Sequence, residues 1–213
     1  MPRRKHIKIV EVRSFENVFD FKNSDTDERL INYFGNTKPV TLELGCGQAD
    51  YSIGLAKLFP DRNFVGIDRK PNRLWNASKN ATAAGLKNVA ILISYIEKLE
   101  EFFKELKAEE IWITFPDPYP FRRSMKKRLT HPDFIKIYKN ILIPGGRVIL
   151  KTDADSLYDY TLEIIEEQKL NLIKSTNDLY SSSNLTDEEN IQTKYELMHL
   201  AEGKKIKIVS FCF

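Results

Sequence analysis

The sequence predicts an α/β fold: a doubly wound, mostly parallel sheet finished by an antiparallel hairpin. Three observations predict it. Short apolar runs alternate with amphipathic stretches from Pro39 to Asp153. The runs are apolar at nearly every position, as strands are when helices cover both faces of a sheet. The first run breaks at "LGCG", a Gly-x-Gly turn of the kind that joins strand to helix in open parallel sheets.

The elements follow in order. "PVTLEL" (39–44) reads as a buried strand, and "QADYSIGLAKLF" (48–59) has helical spacing. "NFVGID" (63–68) is a second strand, followed by a helix through "NRLWNASKNATAAGL". "NVAILIS" (88–94) is a third strand. "EKLEEFFKEL" (97–106) is expected as a helix, with Leu99, Phe102, Phe103 and Leu106 on one face. "EIWITF" (110–115) is a fourth strand, and "HPDFIKIYKNIL" (131–142) is a helix that stops at Pro144, Gly145 and Gly146. "RVILKTD" (147–153) is a fifth strand, with a helix near 156–169 after it. "KYELMHLA" and "KIKIVSFCF" flank "EGKK" and read as the closing antiparallel hairpin.

With 213 residues, the chain is expected to form a single domain over 1–213, its first twenty residues a basic arm. Hydrophobic residues are 42% and charged residues 30%, an ordinary globular balance. No apolar run approaches a membrane span, and "MPRRKHIKIV" lacks the apolar core of a signal peptide. Cys46 and Cys212 stand far apart with no CxxC, so neither a disulfide framework nor a metal site is expected, and the cytoplasm is the default compartment. The net charge is only +3, but the cations cluster at Arg3, Arg4, Lys5 and Lys8, at Arg122 to Arg128, and at Lys204, Lys205 and Lys207. Such patches suit an anionic partner such as nucleic acid, or are solvated faces; charge alone leaves both open.

Gly45 and Gly47 lie between the first strand and the first helix of the series, where ligands of open parallel sheets bind. The dinucleotide pattern GxGxxG is not met, because its last position is Asp50, a carboxylate that would repel a pyrophosphate. Asp68 ends the second strand and can accept both hydroxyls of a ribose. Glu43, just before the turn, suits a cation better than a phosphate. S-adenosylmethionine has no phosphate and carries an ammonium, a sulfonium and a ribose, so both acids find partners on it. The competing reading makes Glu43 a cap for backbone donors and Asp68 a surface strand end.

After the fourth strand comes "FPDPYPFRRSMKKRL". Prolines on both sides restrict Asp117, which is useful where a carboxylate must be aimed. Five cations follow within seven residues: Arg122, Arg123, Lys126, Lys127 and Arg128.

"LELGCGQ", "FVGIDRK", "FPDPYPFRRSMKKRL", "PGGRVILKTD" and "TKYE" occur in the order seen in the bacterial tRNA (guanine-N7-)-methyltransferase family, and the chain resembles that family from about Val40 to its end. The resemblance implies a Rossmann-like, class I S-adenosylmethionine-dependent methyltransferase with a seven-stranded sheet, acting on a variable-loop guanine of tRNA. It implies that Glu43, Gly45, Gly47, Asp68, Tyr95 and Asp117 meet the cofactor and that Asp117 is the catalytic acid. It places Phe121, Asp153, Thr193, Lys194, Tyr195 and Glu196 at the guanine, and Arg122, Arg123, Lys126, Lys127 and Arg128 on the RNA. The chain departs from the pattern at Tyr119, where the family usually has Trp, at Phe121 (Lys), at Ser124 (His) and at Tyr95 (Asp).

The chemistry is consistent with these residues. Guanine N7 has an in-plane lone pair and no proton, so methylation there needs alignment more than a strong base. A fixed carboxylate stabilises the cationic purine as it forms. A second carboxylate, at Asp153 or Glu196, can accept N1–H and the 2-amino group, which adenine lacks as a pair. Two alternatives stay open on sequence: a non-catalytic RNA-binding protein on a degenerate methyltransferase fold, and a methyltransferase acting on an adenine amine.

Overall fold

The alternation of apolar and amphipathic runs folds as eight strands and seven α-helices among the described residues. The computed structural model describes residues 2–181 and 185–213, with side chains from residue 5 onward, so the expected basic side chains Arg3 and Arg4 fall outside it. The chain divides into two compact units, Met1–Ala108 and Glu109–Phe213. Among the described residues no helix is long and apolar enough to cross a membrane.

The first unit contains α1 (Pro2–Glu11), β1 (Val18–Asp20), α2 (Thr26–Phe34), β2 (Val40–Leu44), α3 (Asp50–Leu58), β3 (Asn63–Asp68), α4 (Pro71–Ala83) and β4 (Val89–Ile93). Its strands run in the order β1-β4-β3-β2, all parallel. Every residue of β2, β3 and β4 is buried, the reason these runs lack polar alternation. Leu42, Val65, Ile67, Ile91 and Leu92 are completely covered, each contributing about 1.5–3 kcal/mol of burial. The stretch expected to be a basic arm thus contains α1 and the edge strand β1, and β1 brings the strand count to eight rather than seven. A three-residue strand is too short to show a period in sequence.

The second unit contains β5 (Ala108–Thr114), α5 (Pro132–Ile141), β6 (Leu142–Thr152), α6 (Asp155–Glu167), β7 (Asn171–Thr176), α7 (Lys194–Ala201) and β8 (Lys207–Cys212). The strand order is β5-β6-β8-β7, with β8 antiparallel to both neighbours. The C-terminal antiparallel pair is therefore present, but its first strand is β7. Lys194–Ala201, expected as a strand, is a helix. "TKYE" fits the S/T-x-x-E capping box: Thr193 Oγ1 accepts from Glu196 N at 3.2 Å and Glu196 Oε2 accepts from Thr193 N at 3.4 Å. Lys, Glu, Leu, Met and Ala behind the cap are strong helix formers.

The helix expected over 97–106 is only a 3-10 turn, Ile96–Glu101. Glu97, Glu101 and Glu105 recur four residues apart, and like charges at that spacing oppose a continuing α-helix. Leu99, Phe102 and Phe103 are buried nonetheless.

Candidate active site

The carboxyl end of β2 opens into a loop of alternating handedness. Gly45, Gly47 and Ala49 have φ of 70°, 57° and 55°. The two glycines take that conformation without strain, and a Cβ on either would meet nothing within 4 Å. The loop can sit this close to β3 because Gly66 has no side chain: a Cβ there would lie 3.1 Å from Cys46 Sγ and 3.2 Å from Ala49 Cβ. A glycine inside a strand was the sequence signal for this close approach.

Asp68 ends β3 and orders the loop. One carboxylate oxygen accepts from Gly47 N at 3.2 Å, the other from Lys70 N at 2.8 Å, and Arg73 Nη1 stands 3.9 Å away. A carboxylate offers about four lone-pair directions, so both oxygens retain capacity for a ribose diol. Glu43, buried, accepts from Ser52 N at 2.9 Å and Ser52 Oγ at 2.5 Å, which places its charge under the first turn of α3. Capping of a backbone donor is thus part of its role. Between them the thiol of Cys46 is buried, and burial followed by the charges of Glu43 and Asp68 pushes its pKa well up. Two acids beneath the loop and Asp50 at the head of α3 make this end electronegative, a poor seat for a pyrophosphate and a fitting one for an ammonium. Tyr95 lies two residues beyond β4, half-exposed, its ring edge-on to Phe21 at 5.5 Å. The first unit therefore gathers Glu43, Gly45, Gly47 and Asp68 around one turn, with Tyr95 at the same carboxyl end of the strands.

In the second unit, Phe115 N donates to Lys151 O at 2.8 Å and ties the end of β5 to β6. Asp117 is exposed in the loop that follows. Phe115 and Tyr119, on either side of the Pro116-Asp117-Pro118 triplet, have φ of 48° and 42°. Aromatic residues rarely adopt that region, and each instance costs about 1–3 kcal/mol.

The basic segment splits in two. Arg122, Arg123, Lys126 and Lys127 are exposed, as is Phe121, at 65%. Arg123 lies over the Phe121 ring and Lys127 over the Tyr119 ring. Arg128 is only 4% exposed and turned inward. Its Nε donates to Pro118 O at 3.1 Å and to Tyr119 O at 3.2 Å, and its Nη2 to Tyr119 O at 3.0 Å. It differs in this from the other four, with which it was grouped as an RNA contact, because its Nε and Nη2 turn inward to carbonyls of its own loop.

Asp153 follows β6 directly. Its Oδ2 lies 3.1 Å from Lys204 Nζ and 3.5 Å from His199 Nδ1, and the His199 ring packs on Phe115 at 5.8 Å. At the start of α7, Lys194 and Tyr195 are exposed, Tyr195 at 57%. Thr193 is buried as the N-cap. Glu196, expected at the guanine, is 0% exposed. Its Oε1 pairs with Lys151 Nζ at 2.7 Å and accepts from Tyr180 Oη at 2.6 Å. Lys151 also donates to Glu189 O at 2.8 Å and Ile191 O at 3.0 Å. Burial lowers the Lys151 pKa and Glu196 opposes that; the Tyr180 phenol is pushed up by burial and by its bond to Glu196. Sequence reading overlooked Lys151 as a determinant, although a lysine inside "VILKT" signals a buried cation in need of partners.

A family described as "Putative methyltransferase" matches residues 37–209. The tRNA (guanine-N(7)-)-methyltransferase of Cytophaga hutchinsonii is 43% identical over 183 residues, 85% of this chain and 83% of its own. The enzyme of the same name from Bacteroides thetaiotaomicron is 37% identical over 99% of this chain and 86% of its own. Among solved structures, the 16S rRNA methyltransferase KamB shares the fold with a TM-score of 0.66 at 14% identity, over 88% of this chain and 93% of its own. By sequence, this chain belongs to the tRNA (guanine-N(7)-)-methyltransferase family.

Proposed function

We propose that this protein transfers the methyl group of S-adenosylmethionine to N7 of a variable-loop guanine in tRNA. The observation that carries the reading is the Asp117 loop: a carboxylate between two prolines, flanked by two aromatic residues in a costly conformation and tied down by Arg128. Strain of that kind persists where surrounding structure over-determines it, and it concentrates at functional sites. The names of the relatives favour guanine N7 over an adenine amine, and enzyme over inert binding module.

When bound, S-adenosylmethionine supplies an electrophilic methyl on a positively charged sulfur. The residues of the first unit fit it. Asp68 holds the ribose hydroxyls, the Gly45–Gly47 turn gives close access to the backbone, Glu43 and Asp50 supply negative potential for the ammonium, and Tyr95 offers a ring face to adenine. In the second unit, Asp117 aligns the guanine and stabilises the positive charge that develops on the purine. Asp153 accepts N1–H and the 2-amino group in exchange for Lys204. Glu196 does not read that edge. It holds the start of α7, where exposed Lys194 and Tyr195 meet the substrate. Phe121, exposed, packs against the tRNA, and Arg122, Arg123, Lys126 and Lys127 grip phosphates.

The test is methyl transfer from labelled S-adenosylmethionine to an unmodified tRNA transcript, with the product nucleoside identified. Wild type is expected to form N7-methylguanosine. Asp117→Ala is expected to lose turnover by roughly 10²–10³-fold, as when one charge-stabilising group is removed, while still binding cofactor. N6-methyladenosine as product, or an Asp117→Ala enzyme of full activity, would overturn the assignment.

A further inference from the structure

We infer that Arg128 is a positioning residue for Asp117, not an RNA contact. The inference rests on the methyltransferase reading above and deepens it. Three observations meet at this side chain.

The first is where its donors go. Three hydrogen bonds from one guanidinium reach the carbonyls of Pro118 and Tyr119, the two residues directly after Asp117. Two of the three fall on Tyr119, which has the unfavourable positive φ. The planar fork of arginine spans two neighbouring carbonyls at once, which the single nitrogen of lysine cannot do in one geometry.

The second is what holds the arginine itself. Its guanidinium stacks on the Tyr160 ring of α6 at 4.4 Å. The next residue, Leu129, accepts from Tyr138 Oη of α5 at 2.9 Å. The one after, Thr130, accepts from Thr161 Oγ1 of α6 at 2.9 Å. The side chain is thus anchored to α6, and the two residues after it to α5 and α6, before it reaches back to the loop.

The third is the contrast with its neighbours. Arg122, Arg123, Lys126 and Lys127 are exposed on a 3-10 turn with no buried residue, whereas Arg128 is buried. With only 4% of its surface exposed and one face against the Tyr160 ring, Arg128 is closed to a phosphate. The segment therefore divides its labour: four cations face outward, and the fifth staples the ends of the loop so that docking of RNA on the turn does not drag Asp117 with it.

The experiment compares Arg128→Met and Arg128→Lys with wild type in three measurements. These are steady-state transfer to tRNA, tRNA affinity across a salt series, and amide hydrogen exchange of residues 119–124 in the free protein. Both variants are expected to lose kcat by about 10²-fold, the scale of a 1 Å misplacement, with tRNA affinity and its salt slope unchanged. Exchange in the loop is expected to rise in both. If Arg128 instead touches a phosphate, Arg128→Met flattens the slope of log Kd against log salt by roughly 0.7–0.9 and Arg128→Lys behaves as wild type, which overturns the inference. Should Arg128→Met fail to fold, Arg128→Lys still discriminates, because it keeps the charge and loses the fork. If wild type makes no N7-methylguanosine, the functional reading fails; the exchange comparison still tests the staple, and unchanged protection in Arg128→Lys would sink it by itself.

Discussion

Lys151→Met tests the buried network that holds the start of α7. The ammonium has no exposed surface, pairs with Glu196 at 2.7 Å and donates to two carbonyls, those of Glu189 and Ile191. Methionine matches the volume but leaves Glu196 a buried carboxylate without its cation, keeping Tyr180 Oη and Thr193 N as donors. Removing one member of a buried ion pair typically costs 3–5 kcal/mol, because the remaining charge is uncompensated. At about 2–4 °C per kcal/mol for a chain of this size, the melting point should fall by roughly 6–20 °C. Adding Glu196→Gln removes the orphan charge, so the double variant should recover part of the loss, with a coupling of about 0.5–3 kcal/mol. Urea unfolding of the four members of the cycle, at constant m-value, reads this directly. A loss below about 1 kcal/mol in Lys151→Met, or simple additivity in the cycle, would show that the pair is not what fixes residues 189–196.

Three further outcomes are expected. Neutralising Arg122, Arg123, Lys126 and Lys127 together should weaken tRNA binding and reduce its salt slope by about 3, at 0.7–0.9 per phosphate, while cofactor binding is untouched; filter binding across a salt series measures it. Gly66→Ala places a Cβ 3.1 Å from Cys46 Sγ and 3.2 Å from Ala49 Cβ, so it should cost about 1–3 kcal/mol of stability and lower S-adenosylmethionine affinity in calorimetry, and full affinity would refute the seating of the glycine loop on β3. Tyr180 keeps its proton in the native state at pH values where an ordinary phenol, with pKa 10.0, has lost it. Its contribution is complete below that value and declines as pH rises through it, while Lys151, lowered from 10.5, has the opposite slope just below 10.5. Tyr180→Phe removes only the former, so urea unfolding up to about pH 11 should show the gap between wild type and variant closing.

The parallel strands were legible in the sequence because each is buried on both faces and so appears as an unbroken apolar run. The glycine loop and Asp68 were legible because a turn with positive φ and a strand-ending acid leave fixed spacing. What was not legible depended on direction. Arg128 and Lys127 are adjacent cations in one charge run, and only the fold turns one inward. "TKYE" carried a capping signal that outweighs the alternation of "KYELMHLA", so the helix was readable there from the cap and not from the period. β1 escaped because three residues cannot establish a period, and the 3-10 turn at Ile96–Glu101 because the pattern of Leu99, Phe102 and Phe103 is apolar in either conformation.

The buried cations of the second unit share a placement. Arg128, Lys151 and Lys207 are the buried Lys and Arg side chains among its described residues. Each donates to main-chain carbonyls next to a residue assigned to the substrate. Arg128 holds Pro118 and Tyr119 beside Asp117, Lys151 holds Glu189 and Ile191 ahead of Thr193, and Lys207 Nζ holds Asp153 O at 3.1 Å. Neutral donors could satisfy the same carbonyls. A cation does more: it places positive charge on the backbone behind Asp117 and Asp153. Charge-assisted bonds are also about twice as strong as neutral ones, enough to hold aromatic residues at positive φ. An acceptor nitrogen with no proton to remove is served by carboxylates that are held still. Arg128 and Lys207 thus act on the backbone behind Asp117 and Asp153, while Lys204 Nζ meets the Asp153 carboxylate directly at 3.1 Å.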